Sequence, residues 1–416
     1  MWSSGGMIAV AHGCSLKVRP LRHLILVSPT SHRATDRRRR LAVVKMCTGS
    51  GDEARREADA FGPPRPAIAE LFVDSHCHPT DDPAAYTSSN LDELSTRIGN
   101  VTVERLVCMS TNARDQTMVA KLASLHPDKV VPCFGWHPWF AHQISLRHPA
   151  PSKAEHYHDI FNVLTASSMD NDRAKEGLEA VWDQLPDPIS IESVCQDIRE
   201  QFERFPGALL GEVGIDRAFR IPRRAWNYDP QKPELPASEP KLTKLKTPQA
   251  HQLAVLRAQI DVALQYRRNI SLHSVQAAGL TVDLLSSLRN AEPTSFGAIR
   301  VSLHSCTLDN NVVKSITKKH PNVYIGFSST INRKHFLAKE CLAAADRSRA
   351  LMESDYHTVK GIPGYLHQAN EYFAQLHGLS LEDAAKQLRS NWETFHSIQC
   401  PEDSGSEDTD SEEAAY

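Results

Sequence analysis

Residues 71–78 read LFVDSHCH, so three apolar residues lead directly into a polar end that contains His76 and His78. A short run of consecutive apolar residues is typical of a strand that is buried on both faces, as in a parallel sheet. Alternate side chains of a strand point the same way, so His76 and His78 can bind one metal ion together. This segment therefore predicts a buried strand with a metal-binding pair at its carboxyl end.

Similar apolar runs recur along the chain and alternate with segments of helical period, which is the pattern of repeated strand–helix units. The clearest helices are predicted at 248–266, with Thr247 as the N-cap, and at 381–395, after Ser380. Eight strands with intervening helices predict a closed α/β barrel. The strands are predicted at 71–78, 105–111, 130–138, 208–216, 269–275, 300–306, 322–329 and 350–356.

Later strands also end in residues that commonly bind metals, namely Glu212, His273, His304 and Asp355. Taken singly, each of them is explained as a core histidine or a capping acid. In a parallel barrel, however, the carboxyl ends of all strands meet at one rim, so these side chains would lie together with His76 and His78. Four imidazoles and two carboxylates are enough for two divalent ions with one carboxylate between them, an arrangement suited to phosphoester cleavage.

Taken in order, these residues and their neighbours resemble the TatD family of metal-dependent deoxyribonucleases, and most closely its fungal Cut9-interacting branch. The resemblance covers about residues 71–395. It is carried by Asp-x-His-x-His at 74–78, Gly-Trp-His-Pro-Trp at 135–139, Gly-Glu-Val-Gly-Ile-Asp at 211–216, His273, His304 and Glu-Ser-Asp at 353–355.

The resemblance implies a TIM-like (β/α)8 barrel of the metal-dependent hydrolase type and two divalent metal ions, which would be Mg, Mn or Zn. Glu212 would bridge the two ions, and Asp355 would both bind metal and accept the proton of the attacking water, so these two are the predicted catalytic residues. One ion would be bound by His76, His78, Glu212 and Asp355, and the other by Glu212, His273 and His304.

Two departures from the family pattern concern the substrate. Val275 stands where the bacterial pattern commonly has a basic residue, two positions after His273. Ser305 stands where the family usually has Phe. Neither change removes a predicted ligand, but a phosphate-binding cation is not carried over to this chain.

The predicted substrate-binding residues lie beside the rim. Residues 217–246 carry eight bases against three acids, interleaved with aromatic residues. Basic groups attract phosphates, and aromatic rings stack on unpaired bases, although a solvated charged loop is the alternative interpretation. His137 is expected to contact substrate or, alternatively, to cap the third strand. The residues predicted to bind substrate are His137, Arg223, Arg224 and Trp226.

The composition restricts the class of protein. With 41% apolar residues, 23% charged residues and a net charge of −3, the chain is globular and lacks the overall positive charge that favours non-specific nucleic-acid binding. The nine cysteines are scattered and never spaced Cys-x-x-Cys, which argues against a disulfide framework or a zinc knuckle and indicates a reducing compartment. No run of 18 apolar residues occurs, which argues against a membrane span.

The ends of the chain differ in charge from its middle. Residues 1–46 carry nine bases and one acid, as organellar transit peptides do, and the alternative is a shorter product that starts at Met46. Since the cysteines indicate a reducing compartment, we expect a cytoplasmic or nuclear protein. The basic N-terminus leaves mitochondria as the alternative. The predicted organisation is a basic, disordered arm or transit peptide at 1–65, the barrel at 66–398 with insertions near 141–205 and 217–246, and an acidic, disordered tail at 399–416.

Three functions are compatible with these patterns. The first is hydrolysis of DNA phosphodiester bonds by metal-activated water, acting from strand ends. The second is hydrolysis of a small amide or ester at the same site, because a fold does not fix a function. The third is a scaffold with weak or no catalysis that binds a Cut9-like subunit of the cell-cycle ubiquitin ligase. The complete set of six ligand positions favours an enzyme, because buried polar clusters are costly to keep without a use.

Overall fold

Ten strands are formed in the computed structural model, which describes residues 66–82, 90–162, 169–223, 241–332 and 338–397. They are β1 (Val73–Cys77), β2 (Arg105–Met109), β3 (Val130–Phe134), β4 (Ile144–Ser145), β5 (Ile189–Ser190), β6 (Leu209–Asp216), β7 (Ile270–Val275), β8 (Val301–Leu303), β9 (Val323–Ser328) and β10 (Ala350–Glu353). Eight of them form one parallel sheet in the order β1-β2-β3-β6-β7-β8-β9-β10. The short strands β4 and β5 pair separately.

The two edge strands of the large sheet, β1 and β10, are joined at their carboxyl ends. The amide of His78 donates a hydrogen bond to the carbonyl of Tyr356 (2.9 Å). The buried carboxylate of Asp74 accepts hydrogen bonds from the amide (2.9 Å) and the hydroxyl (2.5 Å) of Ser354. The sheet is therefore closed into a barrel, which confirms the predicted architecture, and Asp74 acts in this closure.

Helices lie between the strands. They are α1 (Pro66–Ala69), α2 (Asn90–Asn100), α3 (Ala113–Leu125), α4 (Lys153–Ile160), α5 (Met169–Glu179), α6 (Ile191–Arg204), α7 (Gln249–Tyr266), α8 (Ala278–Ala291), α9 (Pro293–Gly297), α10 (Asn310–Lys319), α11 (Ala338–Ala344), α12 (Ile362–His377) and α13 (Leu381–His396).

The starts of the two helices predicted most clearly can be compared with the structure. Helix α13 begins after Ser380 as predicted, and the Ser380 hydroxyl accepts a hydrogen bond from the amide of Asp383 (3.1 Å). Helix α7 has Pro248 as its N-cap, so the prediction of Thr247 was wrong by one residue. The reason is that Pro248 has ψ 139°, outside the helical region, although its fixed φ suits a first turn.

Two glycines allow the close packing of the barrel strands. A Cβ atom at Gly214 would lie 2.1 Å from the carbonyl oxygen of His273, and one at Gly326 would lie 1.8 Å from Oε1 of Glu353. Neither distance is sterically allowed, so any larger residue would displace strand β7 or the Glu353 side chain. Both glycines therefore maintain the positions of groups at the carboxyl rim.

The two segments predicted as insertions meet beside the barrel. Residues 141–205 contain β4, α4, α5, β5 and α6, and α6 packs against α7 in the outer ring of the barrel. The base of the second segment forms an antiparallel bridge between Pro222 and Leu242. Apolar side chains from both segments form one cluster, here called the satellite core: Tyr157, Phe161, Leu178, Val181, Leu185, Ile221 and Leu245.

The predicted basic arm and acidic tail fall at residues 1–65 and 399–416, outside the described residues. Those assignments, the domain bounds and the cellular location stay predictions. Within the ranges that the structure describes, no helix combines the length and the apolar character that crossing a membrane requires.

Candidate metal centre

Glu212, on β6, is the residue at which the predicted ligands meet. Its Oε2 atom lies 3.4 Å from Nε2 of His76 and 3.2 Å from Nε2 of His78. Its Oε1 atom lies 2.6 Å from Nδ1 of His273 and 3.1 Å from Nε2 of His304. Oε2 thus faces the two histidines of β1 and Oε1 faces the later ones, so Glu212 lies between two halves of the cluster, which touch where the rings of His76 and His304 stack (3.8 Å between centroids).

Asp355, which follows β10, joins the half that contains the β1 histidines. Its Oδ1 atom lies 3.6 Å from Nε2 of His78 and 3.9 Å from Nε2 of His76. The hydroxyl of Ser305 is 3.0 Å from the other oxygen, Oδ2, to which it can donate a hydrogen bond. The structure therefore brings all six predicted ligands together, and it leaves one oxygen of Asp355 directed at the imidazoles.

The geometry of the nitrogen atoms fits a cation. The Nε2 atoms of His76 and His78 lie 3.0 Å apart, and both face the same carboxylate oxygen. Two nitrogen lone pairs at this distance repel each other unless a proton or a metal ion lies between them. Buried imidazoles and carboxylates are also the donor types that divalent transition metals prefer. Among the residues that the structure describes, ligand atoms within 4.8 Å of one another are found in three triplets: His76, His78 and Glu212; His76, His304 and Asp355; His137, Glu212 and His273.

The electrostatics of the site also favour positive charge. Burial lowers the pKa of His78 and of His273. The effect of Glu212 is larger, with a further contribution from Asp216 at His273, and it raises both pKa values to about 9. Burial raises the pKa of Glu212, yet the surrounding imidazoles hold that pKa well below its ordinary range. An ionised carboxylate that attracts cationic charge is what a site for divalent ions requires.

A second set of side chains contacts the nitrogen atoms that face away from the carboxylate. A hydrogen bond to the outer nitrogen orients a metal-binding imidazole and fixes which nitrogen is free for the metal; the contact of His76 is such a hydrogen bond, and the other three are ion-pair contacts. Asp216 and Glu353 lie within the sequence motifs that we used, but Ser271 and Asp81 have no signal in the sequence. The contacts are His76 Nδ1 to Ser271 Oγ (2.9 Å), His78 Nδ1 to Asp81 Oδ2 (3.6 Å), His273 Nε2 to Asp216 Oδ2 (3.6 Å) and His304 Nδ1 to Glu353 Oε2 (3.4 Å).

His137 also faces Glu212, but it is held differently from the other four imidazoles. Its Nδ1 accepts a hydrogen bond from the amide of Trp139 (3.2 Å), so the proton of the neutral ring is on Nε2. That Nε2 lies 3.2 Å from Oε1 of Glu212. Burial lowers the pKa of His137 to about 4, so the ring is neutral near pH 7. His137 is therefore a hydrogen-bond donor at the site, and it also caps the 3-10 helix Pro138–Gln143 after β3.

Of the other predicted substrate-binding residues, Arg223 lies within the described structure and is not part of this cluster. The side chain of Arg223 lies 3.7 Å from a carboxylate oxygen of Glu176 on α5, in the predicted insertions. Arg224 and Trp226 lie outside the described residues.

The structure is a parallel α/β barrel, and imidazoles and carboxylates lie together at the carboxyl ends of its strands. This combination defines the class of protein, a metal-dependent hydrolase. Residues 73–397 match the family described as TatD related DNase, so the chain belongs to that family. The resemblance inferred from the motifs is confirmed, and the chain is a hydrolase of the deoxyribonuclease type that acts on ester bonds.

Individual relatives agree with this assignment. The Cut9-interacting protein scn1 of Schizosaccharomyces pombe is 27% identical over 356 residues, covering 78% of this chain and 98% of that protein. An uncharacterized deoxyribonuclease of Saccharomyces cerevisiae is 25% identical over 340 residues, covering 78% of this chain and 98% of that protein. The solved structure of an uncharacterized amidohydrolase from S. cerevisiae covers 78% of this chain and 99% of its own, with a TM-score of 0.51 and 12% identity, and shows the shared fold.

Proposed function

We propose that the metal centre binds two divalent cations and uses them to hydrolyse phosphodiester bonds at the ends of DNA strands. The observation that carries the proposal is the position of Glu212, whose Oε2 faces His76 and His78 while its Oε1 faces the imidazoles of the later strands and of His137. Two-ion phosphoester hydrolysis requires two neighbouring cation sites, and a carboxylate shared between them holds the sites close together.

The donor set supports a transition metal. Bound in the two halves, divalent ions would stabilise negative charge on the phosphate oxygens and lower the pKa of the attacking water. Four imidazoles suit Zn or Mn better than Mg, because Mg prefers oxygen ligands and retains several waters. We therefore propose Zn or Mn as the resident ions.

Two residues of the chain have the geometry to act on the substrate directly. Asp355 is held by Ser305 through Oδ2, so its Oδ1 is available to accept the proton of the water. The Nε2–H of His137, which faces Oε1 of Glu212 in the absence of metal, would donate to a non-bridging phosphate oxygen once cations are bound at Glu212. This donor would compensate in part for the basic residue that Val275 replaces.

The depth of the site supports cleavage at strand ends. None of the six ligand side chains is more than 14% exposed. An internal phosphate of an intact duplex cannot approach groups at this depth, because the paired and stacked bases keep the backbone on the outside of a wide helix. A single-stranded or frayed end can enter the rim.

The test uses variants that keep side-chain shape but remove charge. Glu212→Gln and Asp355→Asn should each reduce cleavage of an end-labelled single strand by at least about 100-fold. The matched control is Glu382→Gln on the exposed side of α13, which should cleave at the wild-type rate. Wild-type cleavage by the Glu212→Gln variant would overturn the proposal.

Circular and linear single strands of the same sequence test the preference for ends separately. We expect the linear strand to be degraded and the circle to resist. Equal rates on both would remove the end preference but leave the metal-dependent hydrolysis intact.

We also propose that this chain binds a Cut9-like protein, a proposal supported by the name of the S. pombe relative. A Cut9-like protein should then copurify with the wild type and with the Glu212→Gln variant alike, since the metal centre is buried. Failure of both proteins to bind would exclude this interaction and leave the hydrolase proposal unaffected.

A further inference from the structure

Trp139 and Phe219 form an aromatic pair beside the metal centre that the chemistry proposed above does not use. Their rings are stacked, with centroids 5.1 Å apart and an angle of 15° between the ring planes. Trp139 belongs to the 3-10 helix after β3, and Phe219 follows β6, so residues distant in sequence meet here. Both side chains are half-buried rather than enclosed.

Asp216, at the end of β6, fixes both members of the aromatic pair. Its Oδ2 accepts a hydrogen bond from Nε1 of Trp139 (2.6 Å). Its Oδ1 accepts hydrogen bonds from the amides of Ala218 (2.7 Å) and Phe219 (2.9 Å). The Trp139 ring and the backbone that carries Phe219 are therefore fixed before any ligand arrives, which reduces the entropy lost on binding.

The aromatic pair is close to the groups that would contact the phosphate. The Trp139 ring lies 4.7 Å from the ring of His137, whose Nε2 is 3.2 Å from Glu212. On the other side, Asp216 Oδ2 lies 3.6 Å from Nε2 of His273. In a nucleotide the base is separated from its phosphate by one sugar, so a base on the aromatic pair and a phosphate at the metal centre can belong to neighbouring positions of one strand.

The segment that carries Phe219 also carries basic side chains. Arg217 is exposed, and its guanidinium donates a hydrogen bond to the carbonyl of Gln276 (3.1 Å). The ammonium group of Lys246 donates a hydrogen bond to the backbone carbonyl of Arg217 (2.6 Å), so a second basic side chain lies at the same segment. A basic strip beside aromatic rings is the combination that proteins use to bind single-stranded nucleic acid.

We propose that the aromatic pair is a nucleobase subsite, on which an unpaired base of single-stranded DNA stacks while its neighbouring phosphate lies at the metal centre. The inference rests on the proposed function for the identity of the ligand. Stacking does not depend on hydrogen-bonding edges, so the subsite would accept every base and would select for single-stranded ends.

The test compares a short single-stranded oligonucleotide with the same strand whose terminal nucleotides are abasic. Binding is measured by fluorescence anisotropy without added metal and in the presence of a chelator. Wild-type protein should bind the natural strand about tenfold more tightly than the abasic one. In Trp139→Leu and in Phe219→Leu this ratio should fall to near one.

Two further variants separate stacking from folding. Trp139→Phe retains an aromatic ring and should keep most of the tenfold ratio. Trp182→Leu removes a half-buried tryptophan that packs against the satellite core and should leave the ratio unchanged. Thermal unfolding of each variant shows whether a lost ratio reflects lost structure.

The results distinguish the subsite from the hydrolase proposal. The subsite is overturned if the wild type binds the natural and the abasic strand equally tightly. It is also overturned if both leucine variants still bind the abasic strand about tenfold more weakly. If the wild type shows the tenfold ratio but cleaves no strand with Zn or Mn, the hydrolase proposal is overturned and the subsite is retained.

Discussion

The hydroxyl of Ser305 lies 3.0 Å from Oδ2 of Asp355, and both residues have positive φ angles, 39° and 48°. Residues other than glycine adopt this backbone conformation rarely, and such residues concentrate at functional sites. The Ser305 hydroxyl also lies 2.6 Å from the hydroxyl of Ser328, and Oδ1 of Asp355 is the oxygen that faces the imidazoles. Because the family usually has Phe at the position of Ser305, the contact belongs to this chain's own form of the site.

Replacing Ser305 by alanine should therefore lower the cleavage rate without unfolding the protein. Loss of a hydrogen bond to a charged acceptor costs about 1.5–3 kcal/mol, so kcat should fall by about tenfold or more while KM changes little. The control is Ser348→Ala, which removes a serine–carboxylate contact (2.8 Å) from an exposed turn. An unchanged kcat in Ser305→Ala would show that Asp355 does not need this contact.

Glu353→Gln should weaken metal binding rather than remove it. Oε2 of Glu353 lies 3.4 Å from Nδ1 of His304, on the side away from Glu212. Outer carboxylates of this kind typically contribute 10–100-fold to metal affinity, so we expect a loss of about that size in Zn affinity. Glu340→Gln, at an exposed position of α11, should bind Zn as the wild type does. Equal Zn affinity in both variants would contradict the orienting role of Glu353.

Metal binding should release protons and strengthen as pH rises. The pKa values of His78 and His273 are about 9 in the metal-free protein, so both rings carry a proton near pH 7. A cation displaces these protons, and its apparent affinity should increase from about pH 6 towards pH 9. Burial lowers the pKa of His304, but Glu212 and Asp355 outweigh this effect and raise that pKa well above its ordinary range. Titration calorimetry in two buffers of different ionisation enthalpy measures the release, which we expect to be at least two protons per chain. Heats that do not depend on the buffer would refute this coupling.

His142 should make the fold less stable in mild acid. It is buried on the 3-10 helix Pro138–Gln143, and burial lowers its pKa to about 3. Between its ordinary pKa of 6.5 and about 3, the unfolded chain binds a proton that the folded chain does not. The free energy of unfolding therefore falls as pH decreases through this range, by at most about 1.4 kcal/mol per pH unit.

The measurement is urea unfolding of metal-free protein at neutral and at mildly acidic pH. The variant His142→Gln should lose less stability on acidification than the wild type, because it lacks the titrating ring. His158→Gln, a partly exposed position on α4, should keep the wild-type loss. Identical losses in all three proteins would assign the pH dependence to other groups.

The sequence was sufficient for the parts of the molecule that depend on local pattern. Apolar runs showed where the buried strands lie, and the residues that end them showed which polar side chains meet, because all parallel strands of a barrel end at one rim. His76 and Glu212 could thus be assigned to one site although 136 positions separate them (212 − 76).

The remaining features depend on relationships that no local pattern reports. Ser271 contacts His76 because of the position of β7 relative to β1 in the closed barrel. The satellite core joins two insertions whose meeting is a matter of packing. The left-handed backbone at Ser305 and the stacking of Trp139 on Phe219 arise from the same long-range geometry.

The number of divalent ions bound per chain tests the central claim most directly, because that claim is that Glu212 holds two neighbouring cation sites. Metal analysis after equilibration with Zn or Mn and removal of unbound metal gives this number for the wild type and for Glu212→Gln. We predict two ions per wild-type chain and at most one in the variant. One ion or none in the wild type, or two ions in both proteins, would contradict the claim.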